Sequence, residues 1–124
     1  MIDCLKTMLE ETGLPVAYSH FKKAPKLPYI CFYRNQKTTS GSDYGNEIND
    51  ESYLIELYSV KKDVDAESKI EDVLTKYGIS YFVNELYIDT ENMYCCIFDI
   101  ELYYKKEWAQ CQQKKELLTN RKLP

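Results

Sequence analysis

Residues 51 to 78 specify one strand feeding one helix, with a legible boundary at each end, and few chains can accommodate that pair except as part of a layered domain. Tyr53, Ile55 and Leu57 alternate with the polar Ser52 and Glu56, the period of two expected of a strand with one core side. Tyr58 and Val60 extend the β-favouring composition to Lys61-Lys62, where the strand should stop. Asp63 is placed to cap a helix, since its carboxylate can accept from N–H groups of the first turn, and Asp65 and Glu67 put negative charge at the positive end of the dipole. Ala66, Ile70, Val73, Leu74 and Tyr77 then form one apolar stripe that ends at Gly78, a residue suited to a left-handed C-cap.

The chain before this unit predicts a helix over 2–12, with Ile2, Leu5, Met8 and Leu9 on one side and Gly13 at its end. A short strand at 16–20 follows, then a basic connection containing Pro25 and Pro28, so this strand belongs at a sheet edge. A second strand is expected over 29–36. Residues 37–50 are rich in turn formers and too long for a tight hairpin, which predicts a mobile loop and the first place to look for a partner surface. After the central unit, 79–89 and 92–104 read as antiparallel strands, with Tyr94, Cys96, Phe98, Ile100 and Leu102 on one face and Asp99 and Glu101 on a wetter one. Residues 105–118 could form a short helix through Trp108, Cys111 and Leu118, with a frayed end beyond.

The expected class is α+β: an antiparallel or mixed sheet of about five strands with two helices on one face, in the order α-β-β-β-α-β-β. One domain should occupy residues 1–104, with a basic extension over 105–124. The net charge of −4 conceals that division. Residues 1–104 hold 10 Lys/Arg against 18 Asp/Glu, whereas 105–124 hold 6 against 2, so the extension suits an acidic partner such as a neighbouring copy. The longest apolar runs are only a few residues and the first residues are acidic, which predicts a cytoplasmic product with no membrane partner.

No residue set declares a chemistry. His20 is the only histidine, so a two-histidine metal site is excluded, and no feature brings a cysteine nucleophile to it. Cys95 and Cys96 point to opposite faces of a strand, and reduced buried thiols are expected for the five cysteines. The acidic residues at 63–72 lack the glycine and terminal glutamate of a calcium loop, and the glycines at 41 and 45 lack the lysine of a phosphate loop. The expectation is therefore no catalysis, no metal and no cofactor. Two helices can cover one sheet face, leaving several of Tyr33, Leu54, Tyr58, Cys95, Ile97 and Tyr103 on the other, and an aromatic patch of that kind marks an interface. With Tyr44, Glu47 and Ile48 from the 37–50 segment and Trp108 from the extension, Tyr33, Leu54, Tyr58 and Ile97 are the candidate subunit or partner interface.

Four stretches carry a resemblance: Gly13-Leu-Pro-Val-Ala-Tyr-Ser-His-Phe21, Pro28-Tyr-Ile-Cys-Phe-Tyr33, Tyr53-Leu-Ile-Glu-Leu-Tyr-Ser-Val-Lys-Lys-Asp63 and Tyr94-Cys-Cys-Ile-Phe-Asp-Ile-Glu-Leu102. In that order and spacing, over residues 2–104, the chain resembles the tail-completion, or tail-terminator, proteins of long-tailed bacteriophages and prophages. The resemblance implies a non-enzymatic subunit of a ring, commonly of six copies, which caps the tail tube and joins it to the head connector. It implies assembly in the host cytoplasm and then a place in the virion, with DNA passing through the lumen without specific binding. An acidic body would repel that DNA. The alternatives from other classes are an adaptor or inhibitor domain binding a host protein through the 37–50 loop, and a small hydrolase or thiol enzyme using a cysteine and His20.

Overall fold

The computed structural model describes residues 1–40 and 48–105. Its elements are α1 (Ile2–Glu10), β1 (Val16–Tyr18), β2 (Tyr29–Ser40), β3 (Ile48–Ser59), α2 (Val64–Lys76), β4 (Tyr81–Ile88) and β5 (Met93–Lys105). The strands form one mixed sheet in the order β1-β2-β3-β5-β4, with β1 parallel to β2 and the other neighbours antiparallel. This is the expected α+β class in the expected element order. Helix α2 carries the chain from β3 to the far edge, and β5 fills the gap between β3 and β4, a split β-α-β unit.

Both helices pack on the same sheet face. Leu5, Met8 and Leu9 of α1 and Ile70, Val73 and Leu74 of α2 share one core with Tyr53, Ile55 and Leu57 of β3 and with Cys96, Phe98 and Ile100 of β5. The alternation in β3 and β5 therefore sets the register, because a slip of one residue would turn each apolar set away from the helices.

The helix ends are built as the sequence directs. Asp63 accepts a hydrogen bond from the backbone N–H of Ala66 at 3.1 Å. At the other end Gly78, with φ +69°, lets its own N–H reach Thr75 O and that of Ile79 reach Leu74 O, a Schellman closure sealed by burial of Leu74 and Ile79. Helix α1 turns off at Gly13, where φ is +81°, by a different set of bonds: Thr12 Oγ1 donates to Leu9 O at 2.7 Å and accepts from Leu14 N–H at 3.2 Å.

Two boundaries differ from the sequence expectation. Strand β1 stops at Tyr18, because Ser19 takes φ +70° and turns the chain. More substantially, the segment 37–50 is not loop throughout: β2 runs to Ser40 and β3 begins at Ile48, pairing Lys37 with Glu51, Thr38 with Asp50 and Thr39 with Asn49. Polar residues read as turn formers are here held by cross-strand contacts, including a bond from Thr39 Oγ1 to Asn49 Oδ1 at 3.0 Å and an ion pair of Lys37 with Glu51. The expected helix over 105–118 lies outside the described residues, apart from Lys105, which belongs to β5.

Candidate interaction face

The sheet has a second face, and the register determines what stands on it. Pairing of Tyr33 with Leu54, and of Leu54 with Asp99 and then Phe82, makes one row across four strands. The next row holds Cys31, Glu56, Ile97 and Asn84, and the one beyond it Tyr29, Tyr58, Cys95 and Leu86. Four of the expected interface residues, Tyr33, Leu54, Tyr58 and Ile97, thus share one contiguous patch opposite the helices. Ile48 lies on the same face at the start of β3 and is exposed. Tyr44, Glu47 and Trp108 lie outside the described residues.

Tyrosine rings provide the cover on this face where helices do not. Tyr29 and Tyr58 lie against one another with ring centroids 5.4 Å apart, and Phe21 from the β1–β2 connection meets Tyr29 edge-on at 5.3 Å. Below them Cys31 and Cys95 are buried. Burial, and then the neighbouring Glu56 carboxylate, pushes the Cys95 thiol up to about 12, and the same two influences raise Cys31. Both are thus protonated, unreactive thiols at neutral pH. The Tyr58 hydroxyl donates to Glu56 Oε1 at 2.7 Å, giving this carboxylate a partner within the patch. Phe82, 78% exposed, and Leu86 project at the β4 edge with no such cover among the described residues.

Toward the other end the same face turns acidic. Asp50, Asp99 and Glu101, with Gln36, Thr38 and Ser52, line a shallow cavity of about 190 Å³. Burial, and after it the charge of Glu101, raises the Asp50 carboxyl above the usual aspartate range. Tyr103 stands beside them, 63% exposed, with its hydroxyl donating to Glu101 Oε2 at 2.7 Å.

The sequence reading missed Glu51. It lies on the helix face, two residues before Tyr53, and is only 1% exposed. Tyr53 and Tyr104 donate their hydroxyls to its two oxygens, and Arg34 and Lys37 lie at 3.6 and 3.7 Å. Burial alone would raise this carboxyl; the two phenol donors, with the positive charge of the chain's amino terminus and of Arg34, outweigh it and hold the group below the usual range. The signal was the alternation itself, which places Glu51 on the same face as Tyr53 and Ile55.

Two other places bring together side chains capable of chemistry, one around Cys96 and one at His20. Glu67, Glu85 and Cys96 bring a ligand atom each to within 4.8 Å of one another. Lys62 already places its ammonium on both carboxylates, 2.9 Å from Glu67, and burial pushes the Cys96 thiol up to about 12, so the trio is an ion-pair cluster over a protonated thiol. His20 is exposed, with Nδ1 3.2 Å from Ser19 Oγ. No helix of the described residues is long and apolar enough to cross a membrane.

No family model and no curated protein matches the sequence. Among solved structures, a chain in the virion of a native gene transfer agent particle is similar, with a TM-score of 0.54 and 11% identity over 78% of this chain and 84% of that one. At that identity the likeness is one of fold.

Proposed function

We propose that this chain is a structural, non-enzymatic subunit of a phage-type virion, a tail-completion protein that closes into a ring, of six copies by the family resemblance, at the head-proximal end of the tail tube. The observation that carries the reading is the second sheet face. It presents Tyr33, Leu54, Ile97, Phe82 and Leu86 as one patch, while both helices occupy the opposite side. Phe82 and Leu86 are exposed and Tyr33, Leu54 and Ile97 half-buried, and a contiguous apolar and aromatic patch of this kind marks an interaction surface. The fold likeness to a chain of a gene transfer agent virion supports the same class of role. A subunit of this kind works through complementary surfaces, one set meeting its neighbours and unlike ring faces meeting tube and connector. The acidic end around Asp50, Asp99 and Glu101 fits a lumen through which DNA slides without adhering.

Negative-stain images of the concentrated, purified chain test the proposal. Closed rings with a central hole are expected. Separate particles of single-chain size at every concentration would overturn it.

A further inference from the structure

The sheet is not the same width along its length, and its two sides are finished differently. Where β3 runs from Ile55 to Leu57, all five strands lie abreast. Where β3 runs from Ile48 to Ser52, only β2, β3 and β5 remain, because β1 ends at Tyr18 and β4 begins at Tyr81 opposite Ile100. On one side, therefore, β2 from Tyr33 to Ser40 has no strand beside it among the described residues. On the other, β4 is the outer strand over its whole length among the described residues. Both open stretches are eight residues long.

The hydrogen-bonding direction of each residue follows from the register. Ile30 N–H bonds to Pro15 O, Phe32 O accepts from Ser19 N–H, and Arg34 N–H bonds to the Tyr18 hydroxyl, so these residues point away from β3. The bulge between Arg34 and Gln36 shifts the alternation by one, after which Lys37 and Thr39 point outward. Carried across β3 and β5 by the same alternation, the outward set in β4 is Val83, Glu85 and Tyr87.

Natural edges are usually blunted by shortness, lysine, proline or a bulge. The β1 side has a three-residue strand followed by a connection with Lys22, Lys23 and Pro25, and the open stretch of β2 carries the bulge and Lys37, which act against pairing with a second copy of the same edge. Strand β4 has none of these devices and exposes Phe82, Val83, Leu86 and Tyr87. Its one charge is Glu85, whereas the open stretch of β2 carries Arg34 and Lys37 and no acid. These charges have partners inside the subunit, but the clusters do not cancel: Glu85 and Glu67 share Lys62, leaving one net negative charge beside β4, whereas Arg34 and Lys37 share Glu51, leaving one net positive charge beside the open stretch of β2. Pairing β4 with β4 would set like carboxylates close together, and pairing β2 with β2 would do so for the two cations. A β4-to-β2 contact joins opposite charges.

We propose that β4 of one copy adds, antiparallel, to the open edge of β2 in a second copy, residues 33–40, so that the sheet continues from subunit to subunit. The inference rests on the ring proposed above and supplies its interface: two unlike edges make a head-to-tail contact, which closes into a ring if the rotation allows.

Mixing two edge variants tests it. Val83→Pro and Thr39→Pro each remove one outward N–H without removing a bond inside the sheet, and circular dichroism identifies a variant that fails to fold. Where Pro is not tolerated, Val83→Lys and Thr39→Lys replace it. Analytical ultracentrifugation should find each variant monomeric alone and a 1:1 dimer, no larger, in the mixture, because one good β4 and one good β2 edge remain. If the β2 variant dimerises alone, β4 pairs with itself and the proposal is wrong. If both variants still form rings, the ring stands and its interface lies elsewhere. If the wild type forms no ring, the ring reading falls as well.

Discussion

The Tyr104 hydroxyl donates to Glu51 Oε2 across the sheet, from β5 to β3, on the face that the helices cover. With Tyr53 on the other oxygen and two cations near, a buried carboxylate is held ionised at the point where the three-stranded part of the sheet begins. Glu51→Gln keeps the shape and removes the charge. It should cost about 1.5–3 kcal/mol, the range for hydrogen bonds to a charged group. Because the folded pKa lies below the unfolded one, this stabilisation is complete above the unfolded value and is lost as pH falls through the folded one. Urea unfolding at stepwise lower pH should therefore show the gap between wild type and variant closing below about pH 4. A gap that stays constant would contradict the assignment.

At the alkaline end the sign reverses. Burial, then hydrogen bonds to Glu51 and Glu56 respectively, raises the hydroxyls of Tyr53 and Tyr58 far above the usual tyrosine value. A raised folded pKa gives stability that is present below the unfolded value, about 10, and lost as pH rises beyond it. Titration followed by tyrosinate absorbance and circular dichroism should show these two hydroxyls ionising only as the fold is lost. Complete titration of all twelve tyrosines with the native spectrum intact would contradict this.

The ends of α2 give a local test. Asp63→Ala removes the acceptor for Ala66 N–H and should cost about 1 kcal/mol. Gly78→Ala forces a Cβ into φ +69° and should cost about 1 kcal/mol as well. The two sites are a helix length apart, so the double variant should lose close to the sum in thermal or chemical unfolding.

Substitutions on the open face separate assembly from folding. Phe82 is 78% exposed, and Phe82→Asp should change stability by no more than about 0.5 kcal/mol while abolishing self-association in size-exclusion chromatography. Tyr58→Asp is expected to disturb both, since Tyr58 covers Cys95, packs on Tyr29 and would leave a carboxylate beside Glu56. An unchanged elution position for Phe82→Asp would remove that residue from the interface.

Much of the architecture was legible because strong patterns coincided with strong boundaries. The stripe from Ala66 to Tyr77, closed by Asp63 and Gly78, and the alternation from Tyr94 to Leu102 each had a single consistent interpretation. The loop expected over 37–50 gives way to strand at 37–40 and 48–50 because Thr38 and Thr39 are held by Asp50 and Asn49, 10 or more residues away, and composition near a glycine gives no sign of such pairing. Glu51 is illegible in the sequence for a related reason: a carboxylate on a core face is stable only where Tyr53 and Tyr104 converge on it, and Tyr104 is 53 residues away. The contiguity of Tyr33, Leu54, Tyr58 and Ile97 followed from alternation, but the exposure of Phe82 and Leu86 depends on β4 being outermost, which strand order alone determines.

The central claim is that the open face and edges of this chain are surfaces for self-assembly. Molar mass by light scattering over a concentration series tests it most directly. The account predicts a closed oligomer of constant mass, an integral multiple of the single chain. The single-chain mass at every concentration would contradict it.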